Sequence, residues 1–216
     1  MRILSRTVGP FQENSYLVVD DETGDAAIID PGDQVDDLAA MIDSSGATLR
    51  AIWLTHAHLD HIGAISALRR RYGPIPVHLH ALDLPVYEAQ SFFAAQYGIP
   101  FEQPDAPDAE FSHGDAARIG KLSFDVIHAP GHSPGHVMYF GNGVLLGGDV
   151  LFAGSIGRTD LPLANPAHMQ ETLRQLATLP PETIVYPGHG EPTTVGEELA
   201  SNPFLNGIAN VKRNPH

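Results

Sequence analysis

Apolar positions along the first half of the chain alternate between short β-type runs and stretches with helical spacing. Residues 3–8, 16–20 and 26–30 predict three opening strands, the last two separated by the turn Asp21-Glu22-Thr23-Gly24-Asp25. After Pro31-Gly32, the recurrence of Val35, Leu38, Ala39 and Ile42 predicts a helix. The continuous run over 49–55 predicts a strand buried on both faces. One helix is expected over 60–72, with Ile62, Ile65 and Leu68 on one face and Arg69, Arg70 and Arg71 where cations suit the helix dipole. A strand over 76–80 and a helix over 83–97 complete this half, with Phe92, Phe93 and Tyr97 expected in a helix core or a subunit interface.

Residues 99–114 are rich in Pro, Asp and Glu and predict a long loop, either a solvated connection or a lid over a site. A second strand series follows at 117–119, 123–128, 137–140 and 144–147, with Gly141-Asn142-Gly143 as a hairpin turn. Asn165-Pro166 marks a helix start, and Met169, Leu173 and Leu176 fill the buried face of that helix. A last strand over 183–186 and a short helix over 194–200 end the pattern. Two β-rich halves with helices, within one domain spanning 1–216, are the expected architecture.

Composition narrows the chemistry. The 216 residues carry 12 Lys+Arg against 26 Asp+Glu, a formal charge of −14 that argues against a nucleic-acid reader. The absence of Cys excludes disulfides, thiolate zinc sites and a Cys nucleophile, so any transition metal must sit on His and carboxylate. Twelve His are available for that. No apolar run reaches the roughly 18 residues of a membrane span, and the start lacks the apolar core of a secretory signal. A soluble, cytoplasmic protein without membrane partners is expected; nothing in the pattern predicts its oligomeric state.

The richest segment is Thr55-His56-Ala57-His58-Leu59-Asp60-His61-Ile62-Gly63, where a buried strand ends and a helix begins. His56 and His58 project to the same side of an extended loop, while Asp60 and His61 enter the first helical turn. Two ligand directions from one loop suit two adjacent metals. Three later strand-end loops supply more donors: Pro130-Gly131-His132, Gly147-Gly148-Asp149 and Pro187-Gly188-His189. His128 and His136 flank His132 and suit a supporting role. His78 and His80 alternate in a strand as packing or surface residues, and His113, His168 and His216 have no motif around them.

Together these motifs resemble the metallo-β-lactamase superfamily, whose order of His-x-His-x-Asp-His, His, Asp and His covers this chain from about residue 50 to 190. The resemblance implies a four-layer αβ/βα sandwich, two mixed sheets with helices outside and the site on one edge. It implies a first metal on His56, His58 and His132, a second on Asp60, His61 and His189, and Asp149 bridging both. Zinc is the expected ion, with iron or manganese also suited to the donors.

Within the superfamily the chain looks most like the short bacterial branch of the glyoxalase II type. The carriers are Gly9-Pro10-Phe11-Gln12-Glu13-Asn14-Ser15-Tyr16, Phe152-Ala153-Gly154-Ser155-Ile156-Gly157-Arg158-Thr159-Asp160-Leu161-Pro162 and Asn202-Pro203-Phe204-Leu205. That likeness implies hydrolysis of a small thioester, with S-D-lactoylglutathione as the type substrate, by a metal-bridging hydroxide that Asp60 orients. Only 27 residues follow His189, whereas the long enzymes of that type carry a further helical domain for glutathione. Arg158 is the remaining candidate for a substrate carboxylate, with a salt bridge to Asp160 as its alternative. A persulfide dioxygenase with one iron on His56, His132 and Asp149, a lactonase, and a metal-binding protein without turnover are the competing readings.

Overall fold

The computed structural model describes residues 1–207, 209 and 211; His216 lies outside them. The first half runs β1 (Arg2–Val8), β2 (Glu13–Val19), β3 (Asp25–Ile29), α1 (Val35–Ser45), β4 (Thr48–Trp53), α2 (Leu59–Ile62), α3 (Ile65–Tyr72), β5 (Val77–Leu79), α4 (Leu84–Glu88), α5 (Gln90–Tyr97) and β6 (Ala109–Glu110). The second runs β7 (Ala116–Ile119), β8 (Leu122–His128), β9 (Val137–Gly141), β10 (Val144–Gly148), β11 (Leu151–Phe152), β12 (Ser155–Ile156), α6 (Pro166–Leu176), β13 (Ile184–Pro187), β14 (Thr193–Thr194) and α7 (Val195–Ser201). The strands form a sheet ordered β1-β2-β3-β4-β5-β6, a sheet ordered β14-β13-β10-β9-β8-β7, and the small β11-β12 hairpin. Both large sheets are mixed: β3 to β6 pair in parallel beside an antiparallel β1-β2-β3, and β10-β13 is the parallel pair of the second.

Alternation along each strand builds three apolar layers. In β2, Leu17 and Val19 face α1 and α3, where Leu38, Ile42, Ile65 and Leu68 meet them. Their neighbours Tyr16 and Val18 join Trp53, Phe124, Val126 and Tyr139 between the sheets. On the far side Met138 and Leu145 pack under Met169, Leu173 and Leu176 of α6. Helix, sheet, sheet and helix therefore stack as the four-layer sandwich, each layer fixed by the period-2 and period-3.6 patterns of its elements. Trp53, 1% exposed, meets Phe124 and Tyr139 at ring distances of 5.9 and 5.4 Å and anchors the middle layer.

Three expectations need correction. The helix expected over 60–72 is interrupted at Gly63-Ala64, because Ala64 N donates to Pro31 O (3.0 Å) and Gly63 lies against the Gly32 carbonyl. A Cβ on Gly63 would come within 2.4 Å of that oxygen. The helix expected over 83–97 is likewise two short helices, α4 and α5, meeting at Ala89 after a 3-10 turn over Ala81–Asp83. The loop over 99–114 contributes β6 to the edge of the first sheet and is tied outward by Arg70–Glu102 (2.6 Å) and Arg69–Asp108 ion pairs. It does not line the main cleft, but Ile99, Pro100, Phe101 and Glu102 wall a small neighbouring pocket with Leu59 and Asp60. Asn165 does cap α6, its Oδ1 accepting from Ala167 N and His168 N at 2.9 and 3.2 Å.

Candidate metal centre

The four donor loops leave the ends of β4 in the first sheet and of β8, β10 and β13 in the second, where the three strands run in the same direction with β9 between β8 and β10, so their loops emerge at one edge. His56, His58 and His132 place ligand atoms within 4.8 Å of one another, as do Asp60, His61 and His189. Asp149 lies between the groups. Its Oδ1 is 3.6 Å from His61 Nε2, and its Oδ2 is 3.4 Å from His132 Nε2 and 3.5 Å from His189 Nε2.

Four of the imidazoles are oriented by a bond on the far nitrogen, while the fifth, His58, sets its Nδ1 2.9 Å from His132 Nε2. His132 Nδ1 donates to the Arg158 carbonyl (2.8 Å) and His189 Nδ1 to the Phe11 carbonyl (3.1 Å). Asp30 serves two rings. Its Oδ2 accepts from His61 Nδ1 (3.1 Å) and from the Thr55 hydroxyl (2.6 Å), and that hydroxyl oxygen accepts from His56 Nδ1 (3.0 Å). These bonds leave the Nε2 lone pairs of four rings facing inward, the tautomer that a ligating histidine requires. His136 supports the set differently: its Nε2 accepts from Asp149 N (3.0 Å) while its ring stacks 4.9 Å from His56.

Electrostatics divide the site. Burial, reinforced by neighbouring imidazoles, holds His56 well below its ordinary value and pushes His58 down to about 3; burial also lowers His132. Burial opposes charge on His61 as well, yet Asp60, Asp149 and Asp30 raise it to about 9. His189 rises to about 11, its desolvation overcome by hydrogen bonds to Asp149 and Asp60. Asp60 and Asp149 are depressed in turn: burial is the largest single influence and raises each, but His61, His189 and a further neighbouring imidazole together outweigh it. Beneath His61 sits Glu13, pushed well up by burial and the charge of Asp30.

Divalent ions fit these residues. His56 Nε2, His61 Nε2 and Asp149 Oδ1 are buried without any hydrogen-bond partner, a costly arrangement that a cation would relieve. Space is shaped to match, since a Cβ on Gly188 would stand 2.1 Å from Asp149 Oδ1 and 3.0 Å from His61 Cε1.

Over residues 8–189 the chain matches the family model described as Metallo-beta-lactamase superfamily. The chain belongs to that superfamily. As a member of the superfamily it is a metal-dependent hydrolase with the metallo-β-lactamase fold. It is 37% identical over 203 residues to the hydroxyacylglutathione hydrolase GloC of Haemophilus influenzae, covering 92% of this chain and 95% of that one. Among solved structures, TTHA1623 in a di-iron-bound form is 44% identical with a TM-score of 0.86, covering 94% of this chain and all of that one. ETHE1 from Myxococcus xanthus is 30% identical with a TM-score of 0.80, at 96% and 85% coverage.

A cleft of about 680 Å³ opens above the candidate metal centre, floored by His58, Asp60, His132, Asp149 and His189. Its walls are Phe11, Val86, Phe93, Tyr97, Phe152 and Leu163 with their neighbours. Phe93 and Tyr97 are therefore cleft wall rather than helix core. Arg158 also lines the cleft, but its guanidinium is bidentate to Asp160 at 2.7 and 2.9 Å, the salt-bridge alternative. His78 stacks on Phe111 and His80 on His128, in agreement with packing roles. Sequence reasoning missed Asp30 and Asp83. Asp30 closes an apolar strand as Asp149 does, which was the available signal. Asp83 is fully buried and accepts from Ala57 N (2.9 Å), the Ser133 hydroxyl (2.9 Å) and Gly135 N (2.6 Å), joining the loop of His56 and His58 to that of His132. Among the described residues, no helix is long and apolar enough to cross a membrane.

Proposed function

We propose that this chain hydrolyses thioesters, the class of reaction carried in the name of its Haemophilus influenzae relative. The observation that carries the reading is Asp149, whose two oxygens face His61 on one side and His132 with His189 on the other. In this reading His56, His58 and His132 hold one divalent ion, Asp60, His61 and His189 hold a second, and Asp149 serves both. Zinc is the expected metal. Such ions supply Lewis acidity toward the carbonyl and bring the pKa of water toward neutrality.

The chain's own residues do the rest. Asp60 lines the cleft with Oδ2 3.4 Å from His189 Nε2, where it can accept the proton of the attacking water and keep the attacking oxygen aimed. The oxygen adds to the acyl carbon, the C–S bond breaks, and the sulfur departs as thiolate. A thiol of pKa near 8.5 needs no general acid to leave. Asp30 and the Arg158 and Phe11 carbonyls hold the rings in place throughout.

The test follows thioester absorbance at neutral pH with zinc-, iron- and manganese-loaded protein, beside elemental analysis of protein purified without added metal. Asp60→Asn is expected to lower kcat by about 10²-fold or more, the usual scale of a positioned acid or base. Wild type and Asp60→Asn equally inert on thioesters and lactones would remove the reading. One iron per chain with persulfide-dependent oxygen uptake would replace it with a dioxygenase.

A further inference from the structure

The cleft that holds the reacting group is almost without charge beyond its floor. Among the described residues lining it, Arg158 is the one guanidinium and no ammonium is present. That guanidinium spends its Nε/Nη2 edge on Asp160, which leaves Nη1 as its open side. Glutathione brings two carboxylates and an ammonium, more charge than one partly engaged guanidinium can pair. Apolar surface begins at the metal floor itself: the Phe152 ring meets His189 edge-on at 5.9 Å. It continues outward through Phe93 to the mouth, where Phe11 and Tyr97 make an edge contact at 6.3 Å.

Two features show these walls waiting for an apolar occupant. Phe11, Tyr97 and Leu163 are 42%, 58% and 61% exposed, a contiguous apolar rim of the kind that marks a binding surface. Leu163 is also held in the left-handed backbone region, φ 67°, which a leucine adopts unwillingly and which places its side chain on the wall. The walls and the floor belong to one cleft, so a single molecule can fill the walls and present its reacting group at the floor.

Resting on the thioesterase reading, we infer that the group seated in this cleft is an uncharged hydrocarbon chain or ring, so the substrates are apolar acyl thioesters in preference to glutathione conjugates. The volume, about 680 Å³, suits a mid-sized ligand. Burial of each added methylene then raises kcat/KM by about fourfold, the factor equivalent to about 0.8 kcal/mol.

The experiment compares acetyl, butyryl, hexanoyl and octanoyl thioesters of N-acetylcysteamine with lactoylglutathione on metal-loaded protein. kcat/KM is expected to climb with chain length and to exceed that for lactoylglutathione by at least about tenfold at hexanoyl. Phe93→Ala, and Phe152→Ala as a second variant, are expected to flatten the climb. A flat profile, or lactoylglutathione as the better substrate, overturns the inference and leaves the thioesterase reading standing. If no thioester is cleaved, that reading fails alone. Calorimetry of hexanamide and acetamide with metal-free protein then decides the cleft: tighter hexanamide by about tenfold supports an apolar occupant, and equal affinity overturns it.

Discussion

Replacing Asp83 with Ala removes one carboxylate and strands three donors. The Ala57 and Gly135 amides and the Ser133 hydroxyl all point at it, from 2.6 to 2.9 Å, in a fully buried position. A buried donor left without a partner costs about 1–3 kcal/mol, and the three losses overlap, so the expected destabilisation is about 3–6 kcal/mol. That is a large part of the roughly 5–15 kcal/mol that holds a protein folded. In a chain of this size it lowers the melting temperature by about 10 °C or more. The site should suffer as well, because the stranded donors lie between His56 and His58 and in the three residues that follow His132. Losing such an outer contact weakens metal affinity by about 10–100-fold. Urea unfolding of metal-free protein and chelator competition on loaded protein measure the two effects. Asp83→Asn, which keeps one acceptor but turns an NH2 toward the remaining donors, should fall between and remains measurable if the Ala variant does not fold. Both variants matching wild type in midpoint, slope and metal affinity would refute the argument.

Two further outcomes follow from the site. Because His61 and His189 hold protons up to about 9 and 11 in the metal-free protein, while His58 is neutral down to about 3, filling the Asp60, His61 and His189 group at pH 7.5 should release about two protons. Its affinity should therefore fall steeply, about a hundredfold per pH unit below 9, as acid returns those protons; calorimetry in two buffers of different ionisation enthalpy counts them, and a count near zero contradicts the assignment. Gly188→Ala places a Cβ 2.1 Å from Asp149 Oδ1, so the carboxylate must move. Metal content by elemental analysis should drop at least about tenfold, with a smaller change in the melting temperature of metal-free protein.

The candidate metal ligands that the structure gathers were legible because their spacing is local. His56, His58, Asp60 and His61 are read from one hexapeptide, and the later loops each carry a glycine beside the donor. The four layers were legible through the likeness to the superfamily; the apolar pattern alone fits two packed sheets or a single mixed sheet, and only the structure shows Leu17 and Val19 entering one core while Tyr16 and Val18 enter another. What escaped depends on partners distant in sequence. The break at Gly63 is imposed by the Gly32 carbonyl, and β6 exists only through pairing with β5. Asp83 serves donors 26 to 52 residues away, a relation no spacing rule contains. Phe93 and Tyr97, expected in a helix core or a subunit interface, line the cleft instead, because periodicity does not say whether an apolar face meets a core or an open cleft.

The donor loops divide between the sheets: His56, His58, Asp60 and His61 follow β4 of the first, whereas His132, Asp149 and His189 follow β8, β10 and β13 of the second. An ion shared by that set is a rivet across the sandwich in a chain with no cysteine to form a covalent one. Its binding free energy is then cohesion between the halves, amounting to about 2.7 kcal/mol when free metal stands at a hundred times its dissociation constant. The resistance of this protein to heat and to proteases thereby becomes a gauge of the free metal in the medium around it.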